Sequence, residues 1–215
     1  MACVLKEATV TTKLPGWILL AALAGCVLPV CADTDSQARD IATHIAFVTC
    51  AGCHGPRGIS FVPRFPNLAG QSAGYLAAQL RAFRTHSREE PDAAAFMWGM
   101  AASLDEHQID AVAEYYASQG PATGSVSDSS LERQGKRIYE HGSPTQKVAA
   151  CSVCHGARGE GIADFPRLAG QRAPYIRSQL RAFQQKLRSA DVMNAVAGGL
   201  TQEDMEALAA YLQSL

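Results

Sequence analysis

The chain contains an internal duplication, and this feature limits its fold more than any other. The segment Phe-Pro-x-Leu-Ala-Gly-Gln occurs at 65–71 and again at 165–171, and the residues of 75–83 recur at 175–183 in the pattern Tyr-x3-Gln-Leu-Arg-Ala-Phe. A solenoid needs at least about three short repeats stacked on one another, whereas two units of about 90 residues can each bury a core of their own. The sequence therefore predicts two similar domains in tandem.

We place the first domain at 33–120 and the second at 131–215. The segment between them, 121–130, includes Gly, Pro and Ser residues and has no periodic apolar pattern, so it is predicted to be a linker. Charge divides unevenly between the halves: residues 33–120 carry 6 Lys/Arg against 10 Asp/Glu, whereas 121–215 carry 11 against 9. The overall net charge of −1 gives no basic excess, which argues against nucleic acid as a partner.

The first 32 residues are typical of a signal peptide. Lys6 and Lys13 precede an uncharged apolar run over 17–30, which is shorter than the roughly 20 residues that a membrane-spanning helix needs. We predict export to the periplasm with cleavage after Ala32. The alternative is a lipid anchor at Cys26, but that cleavage would leave Cys31 as a spare thiol in an oxidising compartment.

Apolar residues recur at spacings of three and four, and no strand-like alternation persists, so the fold class is predicted to be all-α. Ser36, Ser72 and Thr201 are candidate helix caps, and Thr201 to Asp204 has the pattern of a capping box. The segments rich in Gly and Pro that follow each Cys-x-x-Cys are expected to be irregular loops. The predicted helices cover 36–49, 73–85, 105–118, 131–141, 173–187 and 201–214.

Each repeat contains Cys-x-x-Cys-His, the attachment signature of haem c. The two thiols add to the porphyrin vinyl groups, and the next residue can then place its imidazole on the iron. A zinc ribbon would bring its two Cys pairs within about 15–20 residues, and a dithiol pair would need a strand-to-helix context. We therefore predict two covalently bound haem c groups, attached at Cys50, Cys53, Cys151 and Cys154, with His54 and His155 as axial iron ligands.

A low-spin carrier needs a second axial ligand, usually Met or His. The repeat nominates Met97 and Met193, which lie in the matched patterns Met-x3-Ala-x2-Leu. Met100 is a rival for the first haem, but Val196 stands at its counterpart and cannot bind iron. Ligation by two His residues is the other alternative, although the remaining His residues have no counterparts in the repeat: His44, His86, His107 and His141.

Over essentially everything after residue 33, the chain resembles the class I dihaem cytochromes of the cytochrome c4 family. The residues that carry this resemblance are the 50–58 and 66–71 segments, the Tyr75 to Phe83 pattern, the Met97 pattern and the second unit in the same order. The resemblance implies His54/Met97 and His155/Met193 as axial pairs. It also implies that the Pro66 and Pro166 carbonyls accept the imidazole N–H groups. The first and last helices of each unit are expected to cross closely, at Ala38 in the first unit and at Gly135 in the second.

The expected function is transfer of single electrons in a respiratory chain. The expected partners are a donor such as a quinol-cytochrome c reductase and an acceptor such as a terminal oxidase, with association at the membrane surface as a further expectation. One alternative is the dihaem subunit of a flavocytochrome c sulfide dehydrogenase. Another is an enzyme, either a dihaem peroxidase or a thiosulfate dehydrogenase. The preferred interpretation is an electron carrier without catalytic residues.

Overall fold

The computed structural model describes residues 31–124 and 129–215. The predicted signal peptide up to residue 30, including Cys26, lies outside them, as do residues 125–128 of the predicted linker. The described residues form helices joined by irregular loops, with isolated β-bridges instead of strands. The helices are α1 Cys31–Ile45, α2 Ala51–His54, α3 Ala73–Arg84, α4 Trp98–Ala102, α5 Glu106–Ala117, α6 Ser130–His141, α7 Ser152–His155, α8 Ala173–Gln184, α9 Asp191–Gly198 and α10 Gln202–Ser214.

The all-α prediction is confirmed, with differences in detail. Ser72 caps α3 and Thr201 forms a capping box with Asp204 at the start of α10, as expected. Ser36 is not a cap, because α1 already begins at Cys31. The sequence missed α2, α4, α7 and α9. Three of these have four or five residues, too few for periodicity to register, whereas α9 has eight.

Each domain has a core of its own. In the first domain, α1 and α3 pack on α5 around Ile109, Val112 and Tyr116. In the second, α6 and α8 pack on α10 around Tyr139, Leu208 and Leu212. The two cores use matched helices, which confirms that the duplication produces two similar domains.

The predicted close helix crossing occurs in the second domain. At Gly135 of α6, an added Cβ would collide with the Ala207 carbonyl of α10 and would lie 2.8 Å from the Cβ of Tyr211. In the first domain, the corresponding pair is α1 and α5. The small residue expected there, Ala38, is only half-buried, whereas Ala42, one turn later in α1, is almost fully buried. A small residue therefore lets the first and last helices approach at contact distance.

The two domains meet through reciprocal hydrogen bonds. The Gln171 amide bonds both the N–H and the carbonyl of Asn67, at 2.8 and 2.9 Å. The Gln71 amide bonds the N–H and the carbonyl of Arg167 in the same way, at 2.8 and 3.0 Å. Because equivalent residues exchange roles, the interface has an approximate two-fold symmetry.

Among the described residues, no helix is long and apolar enough to cross a membrane.

Candidate functional site

The Cys-x-x-Cys-His residues of each domain lie on one helical turn. In the first domain this turn is α2 with Cys50 before it, and in the second it is α7 with Cys151 before it. Residues three and four apart in a helix share a face, so the two thiols and the imidazole of each turn are on the same side. The four thiols are half-buried and none forms a disulfide. This arrangement can hold one side of a porphyrin and present a nitrogen to its iron.

Both motif histidines are buried and oriented. His54 donates its Nδ1–H to the carbonyl of Pro66, and His155 donates its Nδ1–H to the carbonyl of Pro166, each at 2.9 Å. Burial lowers the pKa of both imidazoles, and the proline hydrogen bonds oppose this only partly. Each ring is therefore neutral, with its Nε2 lone pair free for a metal.

The loop after each motif is fixed by a glycine. The Gly58 carbonyl accepts from the N–H groups of Leu68 and Ala69, and the Gly159 carbonyl does the same for Leu168 and Ala169. Gly58 has a φ of 78°, and a Cβ there would lie 2.7 Å from the Tyr116 ring. The prolines that orient the histidines are thus positioned by a turn that only glycine fits well.

Burial affects the acidity of the two motif cysteines that lie next to the core. Burial raises the pKa of Cys50, and it raises the pKa of Cys151 to about 11. Among the described residues, no cluster of three or more His, Cys, Asp or Glu side chains could hold a metal ion. A haem iron does not need such a cluster, because the porphyrin supplies four of its ligands and the protein only one or two.

The methionines nominated by the repeat lie on helical segments that the sequence missed. Met97 ends a π-helical turn, Ala93–Met97, directly before α4, and Met193 lies in the first turn of α9. Both are half-buried, and Met97 packs against Phe83 and Ala101. Met100, the rival, is 46 % exposed, and its counterpart Val196 packs on the core of the second domain.

The histidine and methionine segments of the first domain approach each other through aromatic rings. The Phe65 ring lies 6.1 Å from the His54 ring and 5.3 Å from the Phe96 ring, measured between centroids. Phe96 immediately precedes Met97. The structure therefore brings these two segments to the same side of the domain.

Apolar side chains near both motif histidines are exposed to solvent. Phe96 is 37 % exposed in the first domain, while Phe165 and Val192 are 43 % and 58 % exposed in the second. Phe165 lies 6.1 Å from the His155 ring, and Val192 precedes Met193. A porphyrin covers apolar surface of this kind, so the residues present fit a haem in each domain.

Sequence reasoning missed Arg88 and Arg188, which are buried where the domains meet. It also missed Trp98 and Asn194, whose side chains donate to the carbonyls of these two arginines. A signal was present, because Arg88 and Arg188 keep the 100-residue offset of the repeat.

The family model for cytochrome c matches residues 38–119 and again 133–215. Cytochrome c4 of Thiocapsa roseopersicina is 38 % identical over 172 residues, covering 77 % of this chain and 86 % of that protein. A protein of Thiomonas intermedia named thiosulfate dehydrogenase electron acceptor is 34 % identical over 171 residues, covering 76 % and 77 %.

The structure of cytochrome c4 from Acidithiobacillus ferrooxidans superposes with a TM-score of 0.74 at 40 % identity, covering 78 % of this chain and 99 % of that one. Two matched domains, each with one buried histidine and two cysteines on a single turn, agree with these similarities. The chain therefore belongs to the cytochrome c family as a dihaem cytochrome of the c4 type, an electron carrier with two covalently bound haem c groups.

Proposed function

We propose that the chain passes single electrons between redox proteins of a respiratory chain, with His54/Met97 and His155/Met193 as the axial iron ligands. In each domain, Cys50 and Cys53 or Cys151 and Cys154 attach the haem. The observation that carries the proposal is the buried imidazole of each domain, whose Nδ1 is bonded to a proline carbonyl while its Nε2 stays free.

The residues of this chain hold the haem and orient the iron ligands, and they undergo no chemical change themselves. Haem c supplies an iron that alternates between the ferric and ferrous states. The Pro66 and Pro166 carbonyls fix the imidazole rings and raise their basicity. If His54 and Met97 held one iron, and His155 and Met193 the other, no iron position would remain for a substrate, and the haems would exchange electrons by outer-sphere transfer.

The ligand assignment is tested by the weak sulfur-to-iron charge-transfer band of the ferric protein. Met97→Ala and Met193→Ala should each remove about half of this band, because each haem contributes one sulfur–iron bond. Met100→Ala is the matched control and should leave the band intact. A band that survives both of the first two substitutions contradicts the assignment.

The charge distribution supports docking through the second domain. Residues 121–215 carry a net charge of +2 and residues 33–120 a net charge of −4, so an acidic site on a donor or acceptor attracts the C-terminal half. Electron-transfer rates with a quinol-cytochrome c reductase or a terminal oxidase should fall as salt shortens the Debye length from about 30 Å at 0.01 M to about 8 Å at 0.15 M. Stopped-flow rates that do not change over this range contradict the docking proposal.

A thiosulfate dehydrogenase is a second candidate donor. It is supported by the similarity to the Thiomonas intermedia protein, which is named for accepting electrons from that enzyme. Reduction of the purified holoprotein by thiosulfate plus that enzyme, compared with reduction by quinol plus a reductase, distinguishes the two donors. Copurification with a flavin subunit would instead favour the flavocytochrome alternative.

We further propose that the mature protein is periplasmic and begins at Asp33, with domains at 33–120 and 131–215 joined by 121–130. The charge order of the first 32 residues supports export. The intact mass of the protein from its native host tests this: a chain starting at Asp33 with two haems is expected, and a lipid on Cys26 overturns the cleavage site.

A further inference from the structure

The backbones of the two domains cross beside Arg88 and Arg188. These two residues form an antiparallel bridge, and the Glu89 N–H donates to the Leu187 carbonyl at 2.7 Å. Both arginines are buried, at 5 % and 6 % exposure. The crossing therefore lies inside the interface, where backbone hydrogen bonds are shielded from water.

The two arginine side chains form hydrogen bonds with residues of both domains at this crossing. Arg88 donates to Gln79 of its own domain at 2.9 Å and to Gln179 of the other domain at 2.8 Å. Arg188 donates to Gln179 at 2.7 Å and to Gln79 at 2.8 Å, and also to the Tyr75 hydroxyl at 2.6 Å. Each guanidinium thus spans the interface with charge-assisted hydrogen bonds.

The carbonyls of the same two arginines accept bonds from the methionine segments. Trp98 Nε1 donates to the Arg88 carbonyl at 2.8 Å, and Asn194 Nδ2 donates to the Arg188 carbonyl at 2.9 Å. Trp98 directly follows Met97 and Asn194 directly follows Met193. Two chemically different side chains therefore make the same bond at the same place in the repeat.

We propose that Trp98 and Asn194 are positioning residues that hold the two methionine segments on the domain interface and so resist displacement of each methionine from its haem iron. The proposal rests on the methionine ligation proposed above. A ligand that is held in place binds with a smaller loss of conformational entropy than one on a loose segment. Removing the donor also leaves a carbonyl at the interface without its partner.

Trp98 and Asn194 differ in the other contacts that they make. The Trp98 ring stacks on the His86 ring at 4.1 Å between centroids. Asn194 also donates to the Phe183 carbonyl at 2.7 Å, and its Oδ1 accepts from the Ala190 N–H at 2.8 Å at the start of α9. Replacing Asn194 therefore removes more hydrogen bonds than replacing the indole N–H of Trp98.

The test uses imidazole as a competing ligand for the iron of the ferric holoprotein. Loss of the charge-transfer band measures how much methionine the imidazole displaces. Trp98→Phe keeps a ring but removes the donor, and it should strengthen imidazole binding at one haem about fivefold, the equivalent of about 1 kcal/mol. Asn194→Ala should give a larger change at the other haem. The haem of the unchanged domain is the internal reference in each variant.

Further variants separate positioning from general loosening. Gln119→Ala removes a side-chain bond to the Tyr115 carbonyl on α5, away from the crossing, and should leave imidazole binding unchanged. Gln79→Ala with Gln179→Ala removes the acceptors shared by both arginines and should strengthen imidazole binding at both haems. If Asn194→Ala yields no holoprotein, Asn194→Asp, which keeps the acceptor for Ala190 but loses both donated bonds, should show the same increase.

The possible failures are distinguishable. A wild-type protein without the charge-transfer band overturns the methionine ligation and this inference with it. A wild-type protein with the band, and unchanged imidazole binding in the Trp98 and Asn194 variants, overturns only the positioning role. An equal increase in the Gln119 variant also overturns it, since the effect would then be unspecific.

Discussion

At the scale of single residues, two ion pairs of the first domain differ in their exposure to solvent. Arg88 and Glu90 pair with side chains only 5 % and 3 % exposed, whereas Arg81 and Glu106 pair with side chains 39 % and 58 % exposed. Hydrogen bonds from Arg84 and Arg81 lower the pKa of Glu106, but solvent screens that pair. The same charges therefore contribute very differently to stability.

Glu90→Gln should lower the free energy of unfolding by about 3 kcal/mol, because it leaves the Arg88 charge buried beside Arg188 without a carboxylate. Glu106→Gln is the matched control and should cost far less, because solvent screens the exposed pair. Denaturant unfolding of both variants, followed by circular dichroism, measures the difference. Equal costs would show that burial does not govern these pairs.

At the scale of helices, the repeat keeps its architecture while its methionine segments differ. From Arg88 to Met97 the first domain has four residues more than the second has from Arg188 to Met193. In the first domain this segment forms a π-helical turn, Ala93–Met97, and in the second Met193 enters α9 directly. Different local helices thus precede Trp98 and Asn194, which bond the carbonyls of the matched arginines.

The crossing of α6 and α10 depends on the missing side chain of Gly135. Gly135→Ala should destabilise the protein by about 1–3 kcal/mol, because overpacking against Ala207 and Tyr211 exceeds the roughly 1 kcal/mol that alanine gains in a helix. Gly74→Ala in α3 meets nothing closer than 3.9 Å and should be neutral or stabilising by up to about 1 kcal/mol. Thermal unfolding compares the two, and a Gly135 variant as stable as the Gly74 variant contradicts the close crossing.

At the scale of the whole molecule, glutamine side-chain amides join the two domains by hydrogen bonds to backbone groups. Gln71 and Gln171 each bond the backbone N–H and carbonyl of one residue in the other domain. Each side-chain carbonyl also accepts from the N–H of the following residue, Ser72 or Arg172. A glutamine at this place in both repeats therefore links the loop that orients one histidine to the loop that orients the other.

Replacing Gln71 and Gln171 together by Ala should uncouple the domains, because the peptide groups of Asn67 and Arg167 lose their partners at a cost of about 1–3 kcal/mol each. Hydrogen–deuterium exchange at these two amides should accelerate, and a single unfolding transition should separate into two. Gln119→Ala, whose bonds stay within the first domain, should change neither. Unaltered exchange in the double variant would contradict the role of these amides.

The sequence by itself determined the duplication, the all-α class and the two haem groups. Attachment chemistry demands two thiols and an imidazole at fixed spacing, and a duplicated gene repeats that spacing. It also nominated Met97 and Met193, because a matched pair is more informative than a single methionine. The candidate site residues thus followed largely from local spacing, which is a property of the sequence alone.

Only the tertiary structure decided how the halves meet and which residues act together. The bonds of Gln71, Arg88, Trp98 and their counterparts join residues up to 113 positions apart, and no periodicity reports such pairs. Trp98 and Asn194 have only an N–H donor in common, so a comparison of the two repeats by residue type does not identify them as equivalent. Long-range contacts depend on the packing of both domains together, and that packing exists only in the folded chain.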